Sequence, residues 1–344
     1  MFSPSARARS GSERRSLYDE ITAKIIAELE AGRAPWAQPW GTASANARVP
    51  MPTNVATGRR YSGINILILW GAVVENRFSS HGFLTFRQAL GLGGAVRKGE
   101  RGVTVVYADR FTPEDGKPDA TNAGEKPRTI PFLKRFTVFN VEQCERLPAK
   151  LAAGAAPVET DLIEPRVEAL IRSTGIDFRI GGDRAFYAPA EDYVRVPPPQ
   201  AYFEPINWHR TALHELGHAT GHASRLKRDL SGTFGTKKYA FEELVAEMGA
   251  AFTCATLGVV PTVRHADYLG AWLEVLRGDN RAIVRAASAA SKAADYLLGF
   301  LPAEAVPEAK GTDPATPSSQ EFVSNTSAPR GGAAPPAAFC APAR

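Results

Sequence analysis

His214-Glu215-Leu216-Gly217-His218 is the stretch on which the reading of this chain turns. On a helix, residues four apart lie one turn apart on the same face, so both imidazoles can reach one metal ion. Glu215 then stands beside the open coordination position, where a carboxylate can accept a proton from water. A helix that merely carries two core histidines is the plainer account, but two histidines and a glutamate in this spacing favour zinc. The segment predicts a helix over about residues 207–223 with a Zn2+ site on one face.

A third ligand must come from elsewhere. His222 lies eight residues past His214, about 80° off that residue's direction on a continuing helix. The longer pattern with a third histidine ten residues after the first fails, because that position is Ser224. A better source is the run from Tyr239 to Glu247, whose Ala, Leu, Glu and Met content favours a helix over about 238–257. Glu243 and Glu247 are four apart and share a face. Glu243 is read as the third ligand and Glu247 as the carboxylate that accepts a hydrogen bond from a ligating histidine, with His222 as the fallback ligand. Tyr239, one turn before Glu243, and His209 are candidate oxyanion donors.

At 344 residues the chain can form two domains with cores of their own. No run of about twenty apolar residues exists, so no membrane span is expected. The first fifteen residues are basic and Ser-rich and lack the apolar stretch of a secretory signal. Cys144, Cys254 and Cys340 are odd in number and scattered, which suits a reducing cytoplasm and neither a disulfide framework nor a cysteine zinc cluster. Charge is uneven. Residues 1–150 hold 22 Lys and Arg against 14 Asp and Glu, whereas residues 151–344 hold 19 against 22. The whole positive excess is N-terminal, as expected if that half meets a polyanion.

The expected division is a basic, disordered N-terminus over 1–15, a first domain over 16–147, a small-residue linker over 148–158, a second domain over 159–301 and a disordered Pro/Ala-rich tail over 302–344. In the first domain, Leu17, Ile21, Ile25 and Leu29 mark a helical stripe that Gly32 stops. A basic turn through Arg59 and Arg60 precedes an apolar helix over 64–74. A short helix is expected over 83–89, and β-strands over 102–108 and 132–140 flank a long exposed connection. In the second domain, short strands over 176–196 precede the helices. The fold class is α+β, with a mainly helical second domain containing a small sheet.

The first domain carries a second constellation. Trp36, Trp40, Tyr61, Trp70, Phe83 and Phe86 interleave with Arg59, Arg60, Arg87, Arg97, Lys98 and Arg101. Single-stranded nucleic acid is held by this pairing, rings stacking on bases and cations following phosphates. Most aromatics in a domain of this size are core, and Trp70 and Phe83 are expected there. Trp36, Trp40, Arg59, Arg60, Tyr61, Lys98 and Arg101 are the residues assigned to nucleic acid.

The motifs Pro35-Trp36, Pro52-Thr53-Asn54, Tyr61-Ser62-Gly63-Ile64-Asn65, Phe86-Arg87-Gln88-Ala89, Lys98-Gly99-Glu100 and Phe139-Asn140 resemble the single-stranded-DNA-binding module of ArdC-type plasmid antirestriction proteins, also met in TraC-like plasmid primases. His214 to His222, Arg225-Leu226 and Tyr239 to Glu247 resemble the zincin-like metallopeptidase domain of the same family. Phe83 stands where that pattern has a tryptophan, and the tail beyond Pro302 lies outside the resemblance. The resemblance implies carriage on a mobile element, action in a recipient's cytoplasm and protection of incoming DNA. Two functions are expected on this basis. One is an antirestriction protein that binds single-stranded DNA and carries a zinc metallopeptidase acting on a host protein, with His214, His218 and Glu243 as ligands and Glu215 as base. The other is a DNA-binding protein whose zinc domain is structural or inactive, or a peptidase that acts independently of DNA protection.

Overall fold

The computed structural model describes residues 16–32, 34–36, 50–111, 130–152, 163–202, 205–259 and 269–302. Trp40, the residues 1–15 and the tail beyond 302 lie outside the described residues, as do most of the expected linker and the connection over 112–128.

Helix α1, Leu17–Glu30, starts at a reciprocal cap in which Ser16 and Asp19 each satisfy the other's backbone N–H. Its buried stripe is Ile21, Ile25 and Leu29. Strands β1 (Thr53–Asn54) and β2 (Arg59–Arg60) form a short ribbon before α2, Ile64–Asn76. Strand β3, Gly82–Thr85, runs directly into α3, Phe86–Gly91. This corrects the expected helix over 83–89. Phe83 and Leu84 are strand residues registered against Asn140 and Phe139, and the helix begins only after Thr85 caps it with its side chain. After β4 (Ala95–Val96), the long strands β5 (Val103–Phe111) and β6 (Ile130–Asn140) pair antiparallel from Val103 against Val138 to Phe111 against Ile130.

The five-stranded sheet has the order β2-β1-β3-β6-β5, parallel only between β1 and β3. Strand β5 is an edge. Asn65 of α2 occupies it at Val106, donating to that carbonyl (2.7 Å) and accepting from that N–H (2.8 Å), so the amide acts as a fragment of neighbouring strand. A separate pair joins β4 to β7, Cys144–Glu145, before the short helix α4, Ala149–Ala152.

The second half opens with α5, Ile163–Ser173, and a three-stranded sheet of order β8-β10-β9, where β8 is Asp177–Ile180, β9 Phe186–Ala188 and β10 Tyr193–Val196. Four helices complete it: α6 (Pro205–Ala219), α7 (Lys237–Leu257), α8 (Leu269–Gly278) and α9 (Ala282–Leu298). α7 is buried on nearly every side, which explains why its apolar residues show no single stripe. α6 and α9 approach it at glycines. A Cβ on Gly217 would lie 3.4 Å from the Ala246 carbonyl oxygen, and one on Gly249 would lie 3.6 Å from that of Ala290.

The largest hydrophobic cluster ignores the expected division into domains. Ile21, Ile25, Trp36, Ile66, Leu67 and Trp70 from the first half pack with Leu244, Met248, Phe252, Trp272, Ile283 and Ala287 from the second. Trp36 meets Trp272 edge to face with centroids 5.4 Å apart, and Trp70 meets Phe252 at 5.7 Å. The halves also share polar contacts, Gly63 N–H donating to Ser291 Oγ (2.8 Å) and Thr22 Oγ1 to the Asn280 carbonyl (2.7 Å). No helix among the described residues is long and apolar enough to cross a membrane.

Candidate metal centre

Helix α6 places His214 and His218 one turn apart, with their Nε2 atoms 3.2 Å from each other. Helix α7 crosses it and brings Glu243 up to both: Oε2 is 3.5 Å from His214 Nε2 and Oε1 is 3.4 Å from His218 Nε2. One ligand atom from each of the three lies within 4.8 Å of the others. All three side chains are buried. Glu243 Oε2 has no hydrogen-bond donor, although a buried carboxylate oxygen ordinarily requires one. Two buried imidazoles and a buried carboxylate with an unmet acceptor, converging on one point, are the donor set of a divalent cation.

The electrostatics agree. Burial alone would depress both histidines, yet both are raised, His218 to about 10, because the Glu243 and neighbouring carboxylates demand positive charge there. Burial would raise Glu243, yet the two imidazoles hold it well below the usual carboxylate range. Without a metal, protons on the histidines supply that charge; a divalent cation replaces them, and its affinity falls as pH falls.

The carboxylate behind His218 is Glu242, which the sequence reading did not assign. Glu242 Oε1 lies 3.2 Å from His218 Nδ1. Arg228 grips the same carboxylate with Nε (2.9 Å) and Nη2 (2.7 Å), and also donates to the Gly217 carbonyl and Thr220 Oγ1. Arg228 reaches in because residue 221 is glycine; a Cβ there would lie 3.0 Å from its Nη2. Neighbouring residues on a helix point about 100° apart, so Glu243 can face a cation while Glu242 faces the back of an imidazole. Glu247, assigned that supporting role, sits 3.8 Å from His214 Nδ1, beyond hydrogen-bond length and on the other histidine.

Glu215 is buried beside the triad. Burial raises its carboxyl above the usual range, opposed by the two histidines and by a hydrogen bond from the Tyr187 backbone N–H on β9. His222 is not among the converging ligands. α6 ends at Ala219, and the turn after it carries His222 towards Asp192 (3.5 Å) and Ser224 (2.8 Å). Tyr239 is buried, its ring packed in the large hydrophobic cluster and against Phe234. His209 lies buried edge-on to Trp208.

The residues assigned to nucleic acid divide. Arg59, Lys98 and Arg101 are exposed. The guanidinium of Arg60 is more enclosed than the residue as a whole; it reaches Thr256 Oγ1 (3.4 Å), and burial lowers its pKa against the pull of Asp295. Tyr61 is half-buried against the core of α2 and β5. Trp36 is 1% exposed, which corrects its assignment, since a ring enclosed by helices from both halves cannot stack on a base. Trp70 and Phe83 are buried, as expected.

Residues 15–139 match the family described as the N-terminal domain of anti-restriction factor ArdC, and residues 165–289 match a zincin-like metallopeptidase family, MPTase-PolyVal. The chain is 38% identical over 294 residues to the uncharacterized protein y4eC of Sinorhizobium fredii, covering 82% of this chain and 91% of that one. It is 36% identical over 299 residues to a DNA primase TraC of Escherichia coli, but spans only 20% of that primase. Among solved structures it resembles the antirestriction protein ArdC of plasmid R388, at 39% identity and a TM-score of 0.69 to the metal-free form and 37% and 0.67 to the Mn(II)-bound form. Each alignment covers 83% of this chain and 98% of that one.

Proposed function

This chain belongs to the ArdC family of antirestriction proteins, and on that premise we propose that it binds single-stranded DNA through its N-terminal half and holds a zinc-dependent peptidase centre in its C-terminal half. It would protect the incoming DNA of a mobile element in the recipient's cytoplasm. The observation that carries the peptidase reading is the convergence of His214, His218 and Glu243 beside the buried carboxylate of Glu215.

In this reading His214 and His218 bind through Nε2 and Glu243 through its carboxylate. Zinc, when bound, supplies Lewis acidity and lowers the pKa of water at its open position. Glu242 accepts the Nδ1–H of His218, which fixes the tautomer that leaves Nε2 free to bind, and Arg228 fixes Glu242. Glu215 takes a proton from the attacking water and passes it to the departing amine. The Tyr187 N–H keeps that carboxylate aimed without neutralising it.

A second reading has an observation of its own. α7 bears Glu242 and Glu243 on one turn and, further along, Phe252 against Trp70 of the N-terminal half. A metal that locks α7 to α6 would brace the DNA-binding half whether or not it hydrolyses anything. Wild type and Glu215→Gln, compared for restriction protection and for cleavage of host proteins, separate the two. The amide cannot accept the proton, so the peptidase reading expects hydrolysis to fall by about 10²–10⁴-fold and protection to fall with it. Full protection by Glu215→Gln would leave the metal as a brace.

A further inference from the structure

A general base must stand within hydrogen-bond reach of the water it deprotonates, and a displacement of about 1 Å costs about a hundredfold in rate. Glu215 is placed on one side by α6, the helix that bears it, and on the other by the Tyr187 N–H. That N–H lies on β9, a three-residue strand at the edge of its sheet, paired with β10 alone. Tyr187 stands opposite Val194, and its N–H is turned off the sheet edge to Glu215 instead of into the ladder. A short edge strand held by one ladder is a weak anchor for a carboxylate that must not move.

The Tyr187 side chain supplies a further restraint. Its ring is buried in the cluster that contains Leu213 and Leu216 of α6. Its hydroxyl donates to Asp192 Oδ1 (2.8 Å) and accepts from Arg225 Nη2 (3.3 Å). Asp192 stands in the turn between β9 and β10 with φ 54°, a left-handed backbone that Asp and Asn adopt more readily than other side chains. That turn folds its carboxylate back over the tyrosine. Both terminal nitrogens of Arg225 donate to Asp192, Nη1 to Oδ2 at 3.1 Å and Nη2 to Oδ1, while Nε donates to the Ala219 carbonyl at 2.6 Å. Ala219 is the last residue of α6 and follows His218 directly. One planar fork therefore ties the end of the metal-bearing helix to the strand whose N–H holds Glu215. His222 Nδ1 lies 3.5 Å from the same carboxylate.

Stability alone does not call for charges at this place, because apolar residues of similar volume often serve as well as an enclosed ion pair. What the fork adds is fixed distances, since its donors are coplanar and cannot move independently. We infer that Asp192 and Arg225 are positioning residues for the Glu215 carboxylate and act on it through Tyr187. The inference rests on the reading of Glu215 as the base of a zinc peptidase.

The test labels the full chain with 15N-tyrosine and follows the Tyr187 amide proton by NMR, assigned by the peak that Tyr187→Phe removes. A carboxylate acceptor holds that proton downfield, so Glu215→Gln should move it upfield. Asp192→Asn and Arg225→Lys should move it the same way, and by much less when Glu215→Gln is already present. Zinc affinity in a chelator competition should stay near wild type, because the tether touches no ligand. Cleavage of host proteins by the zinc-loaded chain should fall by up to about a hundredfold in both variants. Tyr187→Phe keeps the ring, the N–H and the ion pair and cuts only the tether to the strand. It should melt near wild type and show the same loss of cleavage.

If Glu215→Gln moves the amide proton and the Asp192 and Arg225 variants leave it in place, the positioning role is wrong while Glu215 keeps its partner. Full cleavage by all three tether variants would overturn it too, with the peptidase reading intact. A zinc affinity lowered by about tenfold or more would make the pair a prop for the metal helix and overturn the inference. If wild type cleaves nothing, or Glu215→Gln cleaves as well as wild type, the peptidase reading falls and the inference with it.

Discussion

Glu242 and Glu243 are neighbours on α7 with separate tasks, one behind His218 and the other in front of both histidines. Removing a ligand should cost more than removing its support. His214→Ala, His218→Ala and Glu243→Ala should lose most of about one zinc per chain after dialysis, while Glu215→Gln keeps it. Glu242→Ala should weaken affinity by about 10–100-fold in a chelator competition, the range typical of a lost supporting carboxylate. An unchanged affinity would show that His218 needs no such partner. His81 makes a separate prediction away from the metal. Burial pulls its pKa from the ordinary 6.5 down to about 4, against the opposing charge of Glu142. Its Nε2 has no hydrogen-bond partner. Because the unfolded chain binds this proton more readily, stability is full above about pH 6.5 and falls as pH drops towards 4, by at most about 3 kcal/mol. Denaturant titrations of His81→Gln should lose that part of the acid slope; an identical slope would mean that the imidazole protonates without strain.

The metal pocket is formed where α6 and α7 pack together at Gly217 and Ala246. Gly217 sits between the two metal histidines in sequence, and its missing side chain admits the backbone of Ala246. Gly217→Val would place branched carbons where a Cβ alone would already be in van der Waals contact with Ala246. Overpacking of this kind typically costs about 1–3 kcal/mol. The variant should unfold at lower urea concentration and bind zinc more weakly, because Glu243 moves off the histidines. Normal stability with normal zinc would show that the helices tolerate a wider spacing. The stretch from β3 to α3 shows how local signals can mislead. Phe83 and Leu84 fit a helical pattern with Phe86 to Ala89, but pairing with β6 and the cap at Thr85 hold them as strand.

At the scale of the whole molecule, each half has hydrophobic clusters of its own, and the largest cluster is shared between them. Unfolding should therefore be a single event. Tryptophan fluorescence, which samples Trp36 and Trp70 in the first half and Trp208 and Trp272 in the second, should melt in one transition together with the far-ultraviolet helix signal that comes mainly from the second half. Saturating zinc should move both curves upward together, by about 2.7 kcal/mol of stability at a hundredfold excess over Kd. Two separated transitions, only one of them responsive to zinc, would mean that the interface contributes little and that the halves are autonomous.

The sequence by itself determined the helix that carries His214, Glu215 and His218 and the helix that supplies Glu243. Spacing along a helix is fixed by its 3.6-residue turn, and that spacing is written in the chain. It also determined the hairpin strands and the unequal charge, which are local or additive properties. Only the tertiary structure decided that Glu242 backs His218, because which of two adjacent carboxylates faces an imidazole depends on how α7 is rotated against α6. Only the tertiary structure put Trp36 inside and left Tyr107 and Phe136 outside. Aromatic residues have the same hydrophobicity in either place. Helices of the other half enclose Trp36, while α2 of the same half covers Val105 and Val138 and stops short of Tyr107 and Phe136.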